Sequence, residues 1–574
     1  MLTFIAQSVL VIGALVVLAP PLGIYLHDTF EGRPTFATRI LGPLERLIYR
    51  LCRIDPAHET DWGTYAFSLI AFNVVGVVLL YLLARLQGVL PLNPAHVAGQ
   101  PALLAFNTAV SFVTNTNWQA YAGETGASQL TQMVGLTWQN FVSAACGLAV
   151  AIALIRSITR SRSRVIGNVW ADVTRGVVYV LLPLSVIYSL VFVSQGVVQT
   201  FGADATVTTL EGATQTIARG PVASQEAIKM IGANGGGFFN ANSAHPFENP
   251  TPVTNLLQIV LMLLIPAGLT LAFGRYAGNS RQGWAIFSAM LLLFVLSLSG
   301  MYAAEQTGNP LLTRAGADQT ASATQAGGNM EGKEVRFGSA GSALFGTATT
   351  SASCGAVNAM HDSMTPLGGG LALLNILLGE VIFGGVGVGL AGMLIFALLA
   401  VFIAGLMVGR TPEYAGKKIE SREIQLAMLA ILVVSGVILL GSGIAAITPA
   451  ALAARLNDGP HGLTELLYAF ASAGGNNGSA FAGLNATGPF FTIGTSLAML
   501  AGRFLFIIPV LGIAGSLAQK QSVPASSGTF PTDSGMFVGL LVGTVLIVGA
   551  LTFFPALALG PIVEHFIMIA GGVL

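Results

Sequence analysis

Charged residues are scarce in this sequence. They make up only 9% of its 574 residues, whereas about a quarter is usual in soluble proteins, and 53% of the residues are hydrophobic. The 25 basic residues are matched by 25 acidic ones, so no excess positive charge is present to attract nucleic acid. The composition excludes an ordinary soluble protein and predicts a single membrane domain over residues 1–574.

Cysteines and nucleotide-binding motifs are also lacking. Cys52, Cys146 and Cys354 share no short spacing, which argues against a zinc site or a disulfide framework. The sequence has neither a GxxxxGK(S/T) loop nor a phosphorylation motif of the DKTGT type. We therefore expect no covalently bound cofactor and no ATP hydrolysis by this chain alone, which makes it no enzyme by itself.

Long apolar runs are abundant, and ten of them are long enough to cross a bilayer, which takes about 20 residues. They begin near Leu2, Gly63, Leu130, Gly176, Val253, Trp284, Leu371, Ile424, Pro489 and Met536. Arginine and lysine concentrate in alternate connections, for example in residues 33–53. The positive-inside rule places these connections in the cytoplasm and both termini outside.

Four external connections contain a short apolar segment that ends in a run rich in Gly, Asn, Thr or Cys. Alignment of Thr116, Gly235, Gly355 and Gly478 gives spacings of 119, 120 and 123 residues. This repetition predicts four parallel repeats, each made of a span, a re-entrant loop and a span. The repeats cover residues 63–155, 176–273, 284–409 and 424–517, with flanking helices at 1–30 and 536–574.

Irregular backbone at membrane depth is stable only where it is buried in protein or lines a wet cavity. The predicted fold is therefore an all-α polytopic membrane protein whose four repeats surround a central pore. Inward carbonyl groups of such loops can replace the hydration shell of a weakly hydrated cation, and glycine reaches the backbone angles this requires. The alternative for any single segment is a surface turn; matched spacing of four favours the pore.

The candidate filter residues are Asn115, Thr116, Asn117, Asn234, Gly235, Gly236, Cys354, Gly355, Asn476, Asn477 and Gly478. Gln119 follows the first loop and is a candidate vestibule residue. His361 and Asp362 follow the third loop without a second His or Cys positioned to complete a metal site, so we expect them to anchor the loop. The weakly hydrated cation at the filter is the only metal ion expected.

Several motifs are recognisable: TNTNWQ from Thr114, GANGGGFFNANSAHPFENP from Gly232, SCGAVNAMHDS from Ser353, GRTPEYAGKKI from Gly409 and NNGSAFAGL from Asn476. Through them the chain closely resembles, from the first span to the last, the potassium-binding subunits of bacterial Kdp potassium-transporting ATPases. That family is similar to the Trk, Ktr and HKT transporters and is related to potassium channels.

The resemblance implies that K+ is the bound substrate, taken up from the periplasm at high affinity, and that ATP is used by a separate P-type ATPase catalytic subunit. It also implies a single-span accessory subunit and a small hydrophobic subunit as partners, and a bacterial inner membrane with both termini periplasmic. Membrane lipid is the remaining expected partner; nucleic acid is not. The main alternative is a stand-alone passive or ion-coupled transporter of the Trk type, and a scaffold without transport activity is a more distant one.

Residues 371–409 are too many for one crossing and contain a glycine-rich stretch after Glu380. The glycines concerned are Gly384, Gly385, Gly387 and Gly389. Such a stretch predicts a broken helix, which the resemblance makes a gate below the filter; glycines for tight helix packing are the alternative.

Arg503 lies inside the ninth span, where a charge costs roughly 2.5 kcal/mol or more. We expect it to face the cavity. By analogy with the related transporters, it would lie below the filter as a positive barrier, with Glu380 as its partner; a plain structural ion pair is the alternative. Arg410, Lys417 and Lys418 are candidates for docking the ATPase subunit, although such charges commonly mark a solvated loop.

Overall fold

The chain folds almost entirely into helices in a computed structural model that describes residues 1–524 and 529–572. Within the described residues, ten helices are long and apolar enough to cross a membrane. We number them span 1 to span 10 in chain order: Leu2–Phe30, Trp62–Val89, Thr131–Thr159, Val169–Ser194, Pro252–Tyr276, Ser280–Arg314, Val388–Val408, Ser421–Ile447, Pro489–Gln519 and Gly535–Ala570. The predicted all-α fold with ten spans is confirmed.

Polar caps mark where the spans begin. The Thr251 side chain accepts a hydrogen bond from the Thr254 amide at the start of span 5 (3.1 Å), and the Thr254 side chain accepts one from the Thr251 amide (3.0 Å). Asp61 accepts from the amides of Gly63 and Thr64 at the start of span 2. These caps satisfy amides that have no partner within the helix.

Four shorter helices lie between pairs of spans, and we call them loop helices 1 to 4. Their bounds are Ala102–Val113, Val222–Ile231, Gly338–Ser351 and Gly459–Gly475. At 1.5 Å per residue the longest is about 26 Å, shorter than the hydrocarbon core. Each leads into irregular backbone buried inside the protein.

The second span of each pair around a loop helix is more buried than the first. In their apolar centres, 94%, 78%, 72% and 61% of residues are buried in spans 3, 5, 7 and 9, against 22%, 39%, 56% and 22% in spans 2, 4, 6 and 8. Spans 3, 5, 7 and 9 therefore form the inner layer. This is the layering expected for four units around one axis.

Span 7 differs from its prediction. A helix over Pro366–Leu377 stops, and the crossing helix begins only at Val388, so the predicted start near Leu371 is wrong. Gly379, Glu380 and Gly387 in the intervening segment have positive φ angles of 83°, 51° and 86°, which a helix cannot contain. The predicted break is present.

The remaining elements are small. Outside the spans and loop helices they are the helix Phe36–Cys52, short helices at Gly123–Gly126 and Pro449–Leu452, a 3₁₀ turn at Asn242–Ala244, and two antiparallel hairpins, Ala205–Thr208 with Thr214–Ile217 and Glu413–Tyr414 with Lys417–Lys418. Span 2 ends in a 3₁₀ turn, Gln87–Val89, and span 6 ends in a separate short helix, Pro310–Arg314.

Lys417 does not fit the expected docking role. Its ammonium is buried and donates to the carbonyls of Arg160 and Lys520, whereas Arg410 and Lys418 are exposed.

Span 1 packs closely on span 5 through glycine. A side-chain carbon on Gly23 would lie 2.9 Å from both the Ala272 amide nitrogen and the Gly268 carbonyl oxygen. The helix backbones therefore meet directly, as small residues allow in membranes.

Gly23→Ala should lower the midpoint of thermal unfolding in detergent, because the added methyl forces the two helices apart at a cost of about 1–3 kcal/mol. Gly13→Ala, in the same helix but with no atom within 4 Å of the new carbon, is the matched control and should leave the midpoint unchanged. Equal midpoints for the two variants would contradict the close packing.

Candidate functional site: a ring of four loops

The irregular backbone after each loop helix follows one pattern. An amide donates back to the carbonyl five residues earlier, over 2.9–3.2 Å: Thr116 to Ser111, Asn234 to Lys229, Cys354 to Thr349 and Asn477 to Ser472. These four residues are therefore equivalent positions in the four loops.

Left-handed backbone flanks each of these positions. The φ angles before and after are 64° and 58° for Asn115 and Asn117, 44° and 78° for Ala233 and Gly235, 53° and 80° for Ser353 and Gly355, and 62° and 90° for Asn476 and Gly478. Asn117, not Thr116, is thus the counterpart of Gly235, Gly355 and Gly478, and the predicted register of the first loop is wrong by one residue. Asparagine tolerates left-handed angles better than other residues with a side chain, so the first loop needs no glycine.

The loops close into a ring. A side-chain carbon on Gly235 would overlap the Cys354 carbonyl oxygen, one on Gly355 the Asn477 carbonyl oxygen, and one on Gly478 the Thr116 carbonyl oxygen. Loops 1 and 2 are joined by asparagines: Asn115 Nδ2 donates to the Ala233 carbonyl (3.0 Å), and Asn234 Nδ2 donates to Asn115 Oδ1 (2.6 Å). The structure therefore brings the predicted residues of all four loops together.

Other predicted residues fasten the ring. Asn476 Nδ2 donates to Thr116 Oγ1 (2.9 Å), and Asn477 Nδ2 donates to the Thr349 carbonyl (3.1 Å). Gly236 lies against Asn117: a side-chain carbon there would be 3.1 Å from the Asn117 carbonyl oxygen. Gln119 Oε1 accepts from the Gly237 amide (2.8 Å), so this residue links loops 1 and 2.

Two ring contacts come from span 3 and were missed by the sequence analysis. Asn140 Oδ1 accepts from Asn117 Nδ2 (2.6 Å), and Ser143 Oγ donates to Asn115 Oδ1 (2.8 Å). Asn140 and Ser143 are three residues apart and so share one helix face. A pair of polar residues at this spacing in an apolar span is the signal that would have identified them.

A cavity of about 80 Å³ adjoins the ring, and the broken part of span 7 lines it. Asn115, Ser353 and Asn476 of the ring face this cavity, together with Glu380, Gly385 and Arg503. Three of the four predicted glycines allow close backbone contacts: Gly384 with the Glu380 carbonyl, Gly387 with the Gly147 carbonyl, and Gly389 with Gly384. Gly385 lies against the side chain of Ser353.

Glu380 and Arg503 do not form the expected ion pair. Arg503 Nη2 donates instead to the Ser143 carbonyl of span 3 (3.1 Å). Among the described residues Glu380 has no ion-pair partner, and its Oε1 is buried without a hydrogen-bond partner in the protein. The two charges therefore face the cavity separately.

A buried ion cluster supports loop 2 from outside the ring. Lys229 Nζ lies 2.7 Å from carboxylate oxygens of both Glu226 and Glu248 and 2.8 Å from Asn242 Oδ1. Asn242 in turn donates to the Gly236 carbonyl. Burial raises the pKa of the Glu226 carboxyl to about 8, although Lys229 opposes this shift. The cluster holds loop 2 in place.

Comparison with known proteins decides the family. The family model described as "Potassium-transporting ATPase A subunit" matches residues 9–566. The chain belongs to this family. It is 57% identical over 565 residues to the potassium-transporting ATPase potassium-binding subunit of Mesorhizobium japonicum, covering 98% of each chain. It is 58% identical over 555 residues to the subunit of the same name from Solibacter usitatus, covering 96% of each.

A solved structure shows the same fold. The potassium transporter TrkH from Vibrio parahaemolyticus superposes with a TM-score of 0.53 at 15% identity, over 86% of this chain and 97% of that one. The family is that of a non-catalytic subunit of a potassium-transporting ATPase complex, so the prediction that the chain is no enzyme by itself is confirmed.

Lys229→Met should strongly destabilise the protein, because it removes the buried cation that Glu226 and Glu248 share, at a cost of about 3–5 kcal/mol. Thermal unfolding of the purified variant measures this loss. The control is Asp458→Asn, which breaks the ion pair between Asp458 and Arg455. Because the Asp458 side chain is 88% exposed, this substitution should change the unfolding midpoint little. If both variants unfold at the wild-type midpoint, the cluster does not hold loop 2.

Proposed function

We propose that this chain is the potassium-selective binding and translocation subunit of an ATP-driven, high-affinity potassium uptake complex. The observation that carries the proposal is the closed ring of four loops, built from buried backbone with left-handed residues at alternate positions. Family membership and the names of the relatives support potassium as the ion.

The chemistry of the ring suits a monovalent cation. Its predicted filter residues are Gly, Asn, Thr and Cys, so they offer neutral oxygens and no carboxylate. Carbonyl groups replace the water around a weakly hydrated cation, whereas divalent cations generally take carboxylate ligands. The asparagine side chains bond to neighbouring loops and so hold the ring at a fixed width.

The cavity next to the ring is the proposed path for ions that leave it. Arg503 is a positive barrier there, and the broken segment around Glu380 and Gly385 is the proposed gate. From this cavity the ion passes to a P-type ATPase catalytic subunit. A single-span accessory subunit and a small hydrophobic subunit complete the proposed complex, in the bacterial inner membrane with both termini of this chain in the periplasm.

The test is growth at micromolar potassium of a bacterial host without its own uptake systems. Gly235→Ala should raise the potassium concentration needed about tenfold or more, because the new methyl overlaps the Cys354 carbonyl oxygen and a loss of 1.4 kcal/mol in binding is tenfold. Gly212→Ala is the matched control: its φ is also positive, at 82°, but no atom lies within 4 Å of the new carbon.

Each strain is grown with and without the ATPase subunits, and the amount of each variant in the membrane is measured. Rescue that needs the subunits supports the pump assignment. Rescue by this chain alone would instead show a stand-alone transporter of the Trk type. Equal growth of the Gly235→Ala and Gly212→Ala strains at equal membrane content would remove the ring as the binding site.

A further inference from the structure

A second cluster of ionisable side chains lies outside the ring. Asp362 follows the third loop, His461 and Glu465 lie in loop helix 4, and Glu564 lies in span 10. One ligand atom from each of Asp362, His461 and Glu465 lies within 4.8 Å of the other two. We did not expect a second histidine near Asp362 from the sequence. That expectation is wrong, because the fold places His461, 99 residues later in the chain, beside Asp362.

The histidine is held in a defined orientation. His461 Nδ1 lies 2.7 Å from Glu564 Oε1, and Nε2 lies 2.9 Å from Asp362 Oδ1. With the Nδ1 proton donated to Glu564, the Nε2 lone pair points toward Asp362. A carboxylate on the far nitrogen fixes the histidine tautomer in this way in metal sites. Glu465 is four residues after His461 and so shares its helix face.

The cluster is short of positive charge. Seven Asp and Glu side chains of the described chain are buried, and five of them pair with a Lys or Arg: Asp172 with Arg156, Glu226 and Glu248 with Lys229, Glu305 with Lys333, and Glu423 with Lys520. Glu465 is buried without such a partner, and within residues 1–524 and 529–572 neither Asp362 nor Glu564 pairs with a Lys or Arg. Three carboxylates therefore surround one imidazole, which balances at most one charge.

The cluster is also accessible to solvent ions. The side chains of Asp362, His461 and Glu564 remain 12–15% exposed. On the inner side the backbone of Gly483 closes the site: a side-chain carbon there would lie 2.5 Å from Asp362 Oδ1 and would overlap Glu465 Oε1. A small ion can therefore reach the cluster from solvent. A residue larger than glycine at position 483 would block the site, because its side chain would overlap Glu465 Oε1.

We propose that Asp362, His461 and Glu465 bind a divalent transition-metal cation, best fitted by Zn²⁺, with Glu564 positioning His461. One imidazole nitrogen and two carboxylates are ligands that Zn²⁺ accepts, with water in the remaining position. The ion ties the segment after the third loop to loop helix 4. Because the Asp362 amide also donates to the Phe481 carbonyl (2.8 Å), just after Gly478, the site braces the outer side of the ring. It does not depend on which ion the ring binds.

The test is equilibrium dialysis of the purified full-length protein, free of any histidine tag and stripped with chelator, against Zn²⁺ near neutral pH. The wild type should retain about one tightly bound Zn²⁺ per chain, and His461→Gln should lose it. Glu564→Gln keeps all three ligands and should weaken binding about 10–100-fold. Asp458→Asn, an exposed carboxylate one turn before the cluster, is the control and should bind as the wild type does.

The proposal is overturned if the wild type retains no more Zn²⁺ than His461→Gln. His461 then serves as a protonated imidazolium between two carboxylates: burial lowers its pKa, but the hydrogen bonds that it donates to Asp362 and Glu564 outweigh this and raise the pKa to about 10. Should His461→Gln fail to fold, the wild type decides alone. Zn²⁺ must raise its unfolding midpoint by a few degrees, reversibly with chelator, and an unchanged midpoint rejects the site.

Discussion

Backbone amides and carbonyls buried at membrane depth must find partners inside the protein, because no water is available there. The four loops meet this constraint in the same manner. Each turns one amide back onto its own loop helix, as Cys354 does onto the Thr349 carbonyl, and leaves carbonyls for the neighbouring loop, as Ala233 does for Asn115. No loop is satisfied alone. The ring is therefore one cooperative unit, and a change at one glycine is transmitted to the next loop through direct backbone contact.

Charge balance is the second constraint, since an unpaired charge in the interior is costly. Most buried carboxylates meet it with a lysine or arginine from another element, as Glu305 does with Lys333 and Glu423 with Lys520. Two buried carboxylates have no lysine or arginine partner among the described residues: Glu380 at the cavity beside the ring, and Glu465 in the cluster with Asp362 and His461. Glu380 lines the cavity, and Glu465 lies close to Asp362 and His461. The incomplete balance thus coincides with the places where we propose that ions bind or pass.

The spans, the loop segments and the break after Leu377 follow from local patterns, because hydropathy and glycine content act over short stretches of chain. The register of the first loop and the partner of Arg503 depend on three-dimensional backbone and side-chain geometry, and they could not be predicted from local patterns. The first loop was aligned one residue out of register, with Thr116 in place of Asn117 as the counterpart of Gly235. Asn117 adopts a left-handed angle as the glycine does, but an asparagine in the sequence does not indicate such an angle as clearly as a glycine. Arg503 was assigned to Glu380 because both are charges in apolar surroundings, yet its guanidinium points to span 3. The repeat bounds and the role of each filter residue stay predictions.

The four units share one architecture, but the unit that contains span 7 differs from the other three. Spans 3, 5 and 9 cross as long helices, whereas span 7 is interrupted next to the ring. The neighbour accommodates this departure: a side-chain carbon on Gly147 of span 3 would overlap the Val386 carbonyl of the interrupted segment. Because the other three inner spans and the ring contacts carry the architecture, one unit is free to hold irregular backbone. In the function that we propose, the nearly symmetric ring selects the ion, and the single asymmetric unit beside it controls passage.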